Sequence, residues 1–187
     1  IQQHGVGTVE TRWRRKDGSF FPVLLSSSPL NPAHPDAGST FTVLDISSRK
    51  QAVEQARASE ARYRQLFDTM AEGVVYQNAD GEIISANPAA CRILGLSNDQ
   101  INGRTSADPN WRAIGEDGAE LPGDQHPSMI ALRTGQPVAG AVMGIFNPQI
   151  EQTRWIRVNA IPLFEPDDNS PGQVYATFDD ITEVIES

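Results

Sequence analysis

Few residues in this chain combine a reactive type with a useful spacing. Cys91 is the only cysteine, which excludes an intrachain disulfide framework and a cysteine-based zinc site. It stands among Ala89, Ala90, Ile93 and Leu94, the setting of a small buried hydrophobe. His126 precedes Pro127. Proline suits the first position of a helix, so His126 reads as a polar residue at a helix start. His4 and His34 fall in terminal and loop contexts. Carboxylates gather at Glu116-Asp117, Glu120 and Asp124, and again at Asp167-Asp168, where solvated turns account for them. There is no Gly-x-Ser-x-Gly, no Gly-x-x-x-x-Gly-Lys and no His-Glu-x-x-His. The chain therefore reads as non-enzymatic, with no catalytic residues and no metal site.

One constellation does carry a mechanical consequence. In Asp180-Ile181-Thr182-Glu183 a β-branched and aromatic run stops at a polar helix start. Asp180 lies three residues before Glu183, the spacing of a capping box with aspartate in the Ser/Thr role. A carboxylate there can hold helix N–H groups while competing for an arginine of the incoming helix, such as Arg62 or Arg64. The same punctuation occurs at Asp45-Ile46-Ser47, although Ser48 stands where the second copy has Glu183. Asp45, Ser47, Asp180, Thr182 and Glu183 are thus the candidate residues for passing a signal from sheet to helix. A cap contributes about 1 kcal/mol, within the 1–3 kcal/mol typical of coupling between sites.

The elements that position these residues follow from pattern. Val6–Arg15 and Phe20–Leu30 read as a hairpin around Lys16-Asp17-Gly18-Ser19, since Asp-Gly tolerates the turn. Pro32, Pro35 and Gly38 mark a loop, and Thr40–Asp45 a third strand. Residues 47–70 contain no Gly or Pro, which predicts a long helix. Val53, Ala56, Glu60, Tyr63, Phe67 and Met70 recur at heptad-like steps, interrupted by Glu60, and predict a two-helix dimer seam. A second unit then begins. Gly73–Tyr76 and Glu82–Ala86 read as strands and Asn87–Leu94 as a helix with Asn87 as N-cap, stopped by Gly95. Ser97–Ile101 reads as a helical turn. Ser128–Thr134 is a helix closed by Gly135, and Val138–Phe146, Thr153–Leu163 and Gln173–Asp179 are strands.

Composition sets the outer bounds. Of 187 residues, 39% are hydrophobic and 21% charged, ordinary for a soluble globular chain. A formal net charge of −9 argues against nucleic acid, whose phosphates need clustered Lys and Arg. Arg12, Arg14, Arg15 and Lys16 read as a solvated hairpin. No stretch approaches the ~20 apolar residues of a membrane span, and the opening residues do not look like a signal peptide. A single cysteine is compatible with a reducing compartment, so the expected location is cytoplasmic.

The two ends of the chain also match each other. Laid together without gaps, Pro29-Leu30 falls on Pro162-Leu163, Val23 on Ile156 and Leu25 on Val158; Asp45-Ile46-Ser47 matches Asp180-Ile181-Thr182 with one loop two residues shorter. Residues 1–46 therefore repeat the last three strands of the second unit, as one truncated copy of a module.

Arg62-Tyr-Arg-Gln-Leu-Phe67, Glu72-Gly73-Val74, Asp80-Gly81, Ala86-Asn87-Pro88-Ala89-Ala90, Leu94-Gly95, Gly103-Arg104 and Asp180-Ile181-Thr182, in this order from about residue 60 to 183, resemble a PAS domain. Residues 1–46 resemble only its closing part, the PAC motif. The resemblance implies an α+β fold with a five-stranded antiparallel sheet and helices on one face. It implies a cavity between them for a small ligand or cofactor. It further implies a regulatory role toward an output domain, in the style of PAS units of bacterial histidine kinases and cyclic-di-GMP enzymes such as diguanylate cyclases.

The expected organisation is a PAC-like segment over 1–46, a signalling helix over 47–70 that makes a homodimer, and a complete PAS domain over 71–187. Strand alternation and helical spacing put Tyr76 and Ile84 from the first strands, Cys91, Ile93 and Leu94 from the first small helix, and Met129 and Leu132 from the last one around the cavity. Val142, Ile156 and Val158 should line it from the later strands, with Trp111 over its mouth. On the last strand Val174, Ala176 and Phe178 share one face, which should feel the cavity while the strand runs into the junction. No cofactor is expected. In flavin-binding relatives the reactive cysteine follows the Gly-Arg pair, whereas Gly103-Arg104 is followed here by Thr105-Ser106-Ala107. Haem through His126, which some PAS domains bind by a histidine on that helix, is the minor case. The rival reading is a ligand-free dimerisation scaffold whose cavity is filled by Met129, Trp111 and phenylalanine side chains.

Overall fold

The computed structural model describes residues 7–31, 33–34, 38–106, 108, 111–166 and 169–187. His4, Val6, Pro32, Pro35, Ala107 and the pair Asp167-Asp168 lie outside the described residues. The chain divides into two compact units, with the boundary between Tyr63 and Arg64.

In the first unit, β1 (Gly7–Arg14), β2 (Phe20–Pro29) and β3 (Ser39–Asp45) form an antiparallel sheet in the order β1-β2-β3. Val9 lies opposite Leu25, which lies opposite Val43, so these three share a face. That face is covered only in part among the described residues: Val23 on it is fully buried, as is Ile46 after β3, whereas Val9, Trp13, Phe41 and Val43 are exposed. Helix α1 (Ser47–Thr69) starts directly after β3 and crosses the unit boundary. It buries no residue fully. The predicted seam is split in exposure, with Val53 and Tyr63 open to solvent and Phe67 and Met70 half-buried.

The second unit is a six-stranded antiparallel sheet in the order β5-β4-β9-β8-β7-β6. Its members are β4 (Gly73–Asn78), β5 (Ile83–Ala86), β6 (Ala113–Ile114), β7 (Val138–Asn147), β8 (Gln152–Phe164) and β9 (Pro171–Asp180). Five strands match the expectation; β6 is a two-residue edge strand too short to show a pattern. Helices α2 (Pro88–Leu94), α3 (Asn98–Ile101) and α4 (Pro127–Thr134) complete the unit, and α5 (Thr182–Ile185) leaves it. Local chemistry explains the helix ends. Asn87 Oδ1 accepts the Ala90 N–H at 2.8 Å with Pro88 at the first position, and Gly95 closes α2 at φ 68°. Ser97 and Gln100 form a reciprocal capping box on α3. The inner sheet face carries Val75, Met143, Ile145, Ile156, Val158 and Phe178, all buried with Leu94, Ile101 and Ala131 in one core.

Candidate functional site

The space between the sheet and the small helices is a cavity of about 50 Å³. Its sheet wall includes Val75 and Gln77 of β4, Ile156 and Val158 of β8, and Ala176 and Phe178 of β9. Its opposite wall is Leu94 of α2, Trp111 and the start of α4. Phe178 reaches the wall because Gly73 faces it across the β4–β9 pair; a Cβ at residue 73 would collide with the Phe178 ring. Trp111, Leu94 and Ile145 also border an outer groove of about 380 Å³. Trp111 therefore stands between cavity and groove.

Four of the eleven expected residues line this cavity: Leu94, Trp111, Ile156 and Val158. Cys91, Ile93 and Leu132 pack on the core behind it, partly buried. Met129 lies over the β4–β5 turn, its Sδ 2.6 Å from where a Gly81 Cβ would stand, and lies outside the lining. Three strand residues face the other way. Tyr76 is on the outer sheet face, its ring 5.2 Å from Tyr175 and 6.4 Å from Phe67. Ile84 is 49% exposed while Ile83 is buried. Val142 pairs with Arg157, and Met143 takes the inner position opposite Ile156. Each error is one residue in strand register, which exchanges the two faces. Along β9 the expected alternation holds, with Ala176 and Phe178 in the lining and Val174 fully buried.

The polar lining was not anticipated. Gln77 is 3% exposed, and its Nε2 donates to Gly81 O at 2.8 Å. Thr105, Ser106, Ser128 and His126 also line the cavity. His126 is buried, with Nε2 3.3 Å from Leu121 O. Burial holds its pKa below the usual histidine value, although the Leu121 carbonyl opposes that. Burial likewise pushes the Cys91 thiol up, away from thiolate reactivity. Among the described residues no group of three or more His, Cys, Asp or Glu could hold a metal, and no helix is long and apolar enough to cross a membrane.

Asn87 is the second residue that sequence reasoning undervalued. Besides capping α2, its Oδ1 accepts the Val74 N–H at 2.9 Å, and its Nδ2 donates to Phe67 O and Glu72 O at 3.1 and 2.9 Å. One fully buried amide therefore joins the end of α1, the start of β4 and α2. The signal available was Asn-Pro before a helix, which discloses the cap and not the long-range partners.

At the junction, Asp180 Oδ1 accepts the Thr182 backbone N–H at 3.0 Å and the Thr182 hydroxyl as well. Its Oδ2 pairs with Arg154 at 3.1 Å. Thr182 Oγ1 in turn accepts the Trp155 N–H at 3.0 Å. Carboxylate and hydroxyl thus tie the end of β9, the body of β8 and the first residue of α5. Two expectations need correction. The arginine on Asp180 comes from β8 and is not Arg62 or Arg64. The capping box with Glu183 does not form, because Ile181 occupies the N-cap position and no side chain caps α5. Asp180 instead bonds the residue two ahead, an Asx turn.

Comparison with known proteins follows the same lines. Two family models, both described as PAS domain, match residues 61–125 and 1–48. Sporulation kinase E of Bacillus subtilis is 39% identical over 62 residues, 33% of this chain and 8% of that protein. The chain therefore spans under a tenth of the length of that relative. Among solved structures, the PAS domain of an HTR-like protein from Haloarcula marismortui superposes with a TM-score of 0.53 at 15% identity, over 71% of this chain and 99% of that one. The PAS domain of a protein from Colwellia psychrerythraea gives 0.50 at 16% identity, over 66% and 97%.

Proposed function

Because the chain belongs to the PAS domain family, we propose that it is a sensory segment of a bacterial signal-transduction protein. In this reading it binds a small ligand and relays occupancy through its helices to an output domain of the histidine-kinase or diguanylate-cyclase kind. One observation carries the reading. Ala176 and Phe178 of β9 line the cavity, and Asp180, two residues on and on the same strand face, holds the start of α5. Any movement of the strand at the cavity reaches α5 with no intervening loop. The similarity to a sporulation kinase supports a kinase-linked output.

The domain plan that goes with this reading is a PAC-like segment over 1–46, a signalling helix over 47–70 and a PAS domain over 71–187. Exposure of the seam residues Val53 and Tyr63 on α1 supports a homodimer through that helix. The reading is regulatory and not catalytic, and its setting is cytoplasmic. It includes neither haem nor flavin: His126 Nε2 is engaged with the Leu121 carbonyl, and Cys91 is packed on the core. The size of the cavity favours a second reading. Ligand pockets are usually about 300–1,000 Å³, and this one is near 50 Å³, which suits a ligand-free dimerisation scaffold. Native and denaturing mass spectrometry of the freshly purified chain separate the two. The sensor reading expects a mass released on denaturation; no released mass, with no small molecule raising the melting temperature, leaves the scaffold.

A further inference from the structure

Gln77 holds an atom that the fold does not satisfy. Its Nε2 donates to the Gly81 carbonyl, which can only accept. Turning the amide over would set two oxygens together, so the assignment of its two ends is fixed. The remaining atom, Oε1, is buried and has no hydrogen-bond partner among the described residues. Such an atom is rare in a folded core and calls for an occupant. Gln77 lines the cavity, and so does His126. If the His126 Nε2–H donates to the Leu121 carbonyl, the neutral ring keeps its lone pair at Nδ1 and becomes a second acceptor. Thr105, Ser106 and Ser128 add hydroxyls. No Asp, Glu, Lys or Arg lines the space among the described residues, so an ion entering it would lose its water with no counter-charge. At about 10–15 Å³ per water, 50 Å³ accepts on the order of three to five heavy atoms.

We propose that the cavity selects a small uncharged molecule that donates a hydrogen bond to Gln77 Oε1, of the primary amide, urea or small alcohol class. This rests on the reading of the second unit as a ligand-binding sensor and narrows it. Acetamide, acetone and acetate test it on the full chain, because they are alike in size. Acetamide is neutral and donates, acetone is neutral and cannot, and acetate is charged. NMR titration of the Gln77 side-chain amide and the Trp111 indole should show saturable binding of acetamide. Acetone should bind at least about tenfold more weakly, which is 1.4 kcal/mol, and acetate more weakly still. In Gln77→Leu the preference for acetamide over acetone should vanish. If that variant does not fold, Gln77→Asn, which withdraws the oxygen by one methylene, gives the same readout. Equal binding of acetamide and acetone removes the donor assignment and leaves a ligand-binding sensor. Tightest binding by acetate overturns the uncharged class. No saturable binding by any of the three, with Oε1 occupied by water alone, overturns the proposal. If denaturation also releases no mass, the sensor reading falls with it.

Discussion

The two strand-to-helix junctions are built on one plan and differ in how the helix start is anchored. In the first unit Val23 pairs with Asp45, and in the second Ile156 pairs with Asp180. Ile46 N–H donates to Pro22 O at 3.1 Å, and Ile181 N–H donates to Trp155 O at 2.8 Å. Asp45 Oδ1 accepts the Ser47 N–H at 2.8 Å, as Asp180 Oδ1 accepts that of Thr182 at 3.0 Å. Each carboxylate also meets an arginine, Arg15 at 3.5 Å in the first unit and Arg154 at 3.1 Å in the second. The difference lies one residue before Val23 and Ile156. Trp155 has an N–H, which the Thr182 hydroxyl accepts; Pro22 has none, so Ser47 has no such donor to meet. The second helix start is fastened to the neighbouring strand by a side chain. The first is fastened there by the backbone alone. Helix initiation and helix anchoring are therefore separable, and a proline can delete the second while keeping the first.

The largest test of that contrast removes the hydroxyls. Thr182→Val keeps the shape of the side chain and leaves the Trp155 N–H without its acceptor, which should cost about 1–3 kcal/mol in chemical denaturation. Ser47→Ala should cost clearly less, since its hydroxyl meets no strand N–H. Equal losses would mean that the Trp155 bond adds nothing to the second junction.

Acid should separate the two units next. A histidine whose folded pKa lies below 6.5 binds its proton more readily when unfolded. Its contribution is complete above 6.5 and is lost as the pH falls from there through the folded value. The second unit should therefore weaken first, and His126→Gln should flatten that slope in melting curves. At Asp45 the sign is set differently. Hydrogen bonds from the Ser47 hydroxyl and N–H hold its carboxyl below 3.8, so the stability it contributes is present above 3.8 and lost only as the pH falls through the lower folded value. Simultaneous weakening of both units on mild acidification would contradict this order.

The smallest effect comes from giving the first junction the missing donor. In Pro22→Ala the new N–H at residue 22 should exchange slowly, protected by Ser47, and the protection should disappear in Pro22→Ala with Ser47→Ala. Fast exchange in the single variant would show that proline alone does not account for the difference.

Much of this architecture was legible in the sequence. Asn87-Pro88 and Gly95 gave both ends of α2, and the matched Asp-Ile-Ser and Asp-Ile-Thr runs gave both junctions. Strand parity was legible only where one face is polar. Along β9, Tyr175, Thr177 and Asp179 alternate with Val174, Ala176 and Phe178, and the inner face follows. In β4, Val74 and Val75 are both buried, because both faces are covered there, and alternation fades. Alternation then does not tell Tyr76 from its neighbours. Ile83-Ile84 offers two identical residues, and β7 carries a register shift between Val138 and Ala141 that breaks any period-two count. Gln77 was illegible for the opposite reason. A polar residue in a strand reads as outward-facing, and only the fold reveals that Gly81 takes one end of its amide while the other is buried without a partner among the described residues.

In the proposed sensor, cavity and outgoing helix are coupled through Asp180 and Thr182. Amide hydrogen exchange at Trp155, Ile181, Val184 and Ile185, with and without saturating acetamide, tests it most directly in the intact chain and in Asp180→Ala. Acetamide should change exchange at these four amides in the unmodified protein. In Asp180→Ala these four amides should not change, while the cavity amides of Val75 and Gln77 respond in both. A response at Val75 and Gln77 with none at Trp155, Ile181, Val184 and Ile185 in the unmodified protein would contradict it, as would an undiminished response of all four in Asp180→Ala.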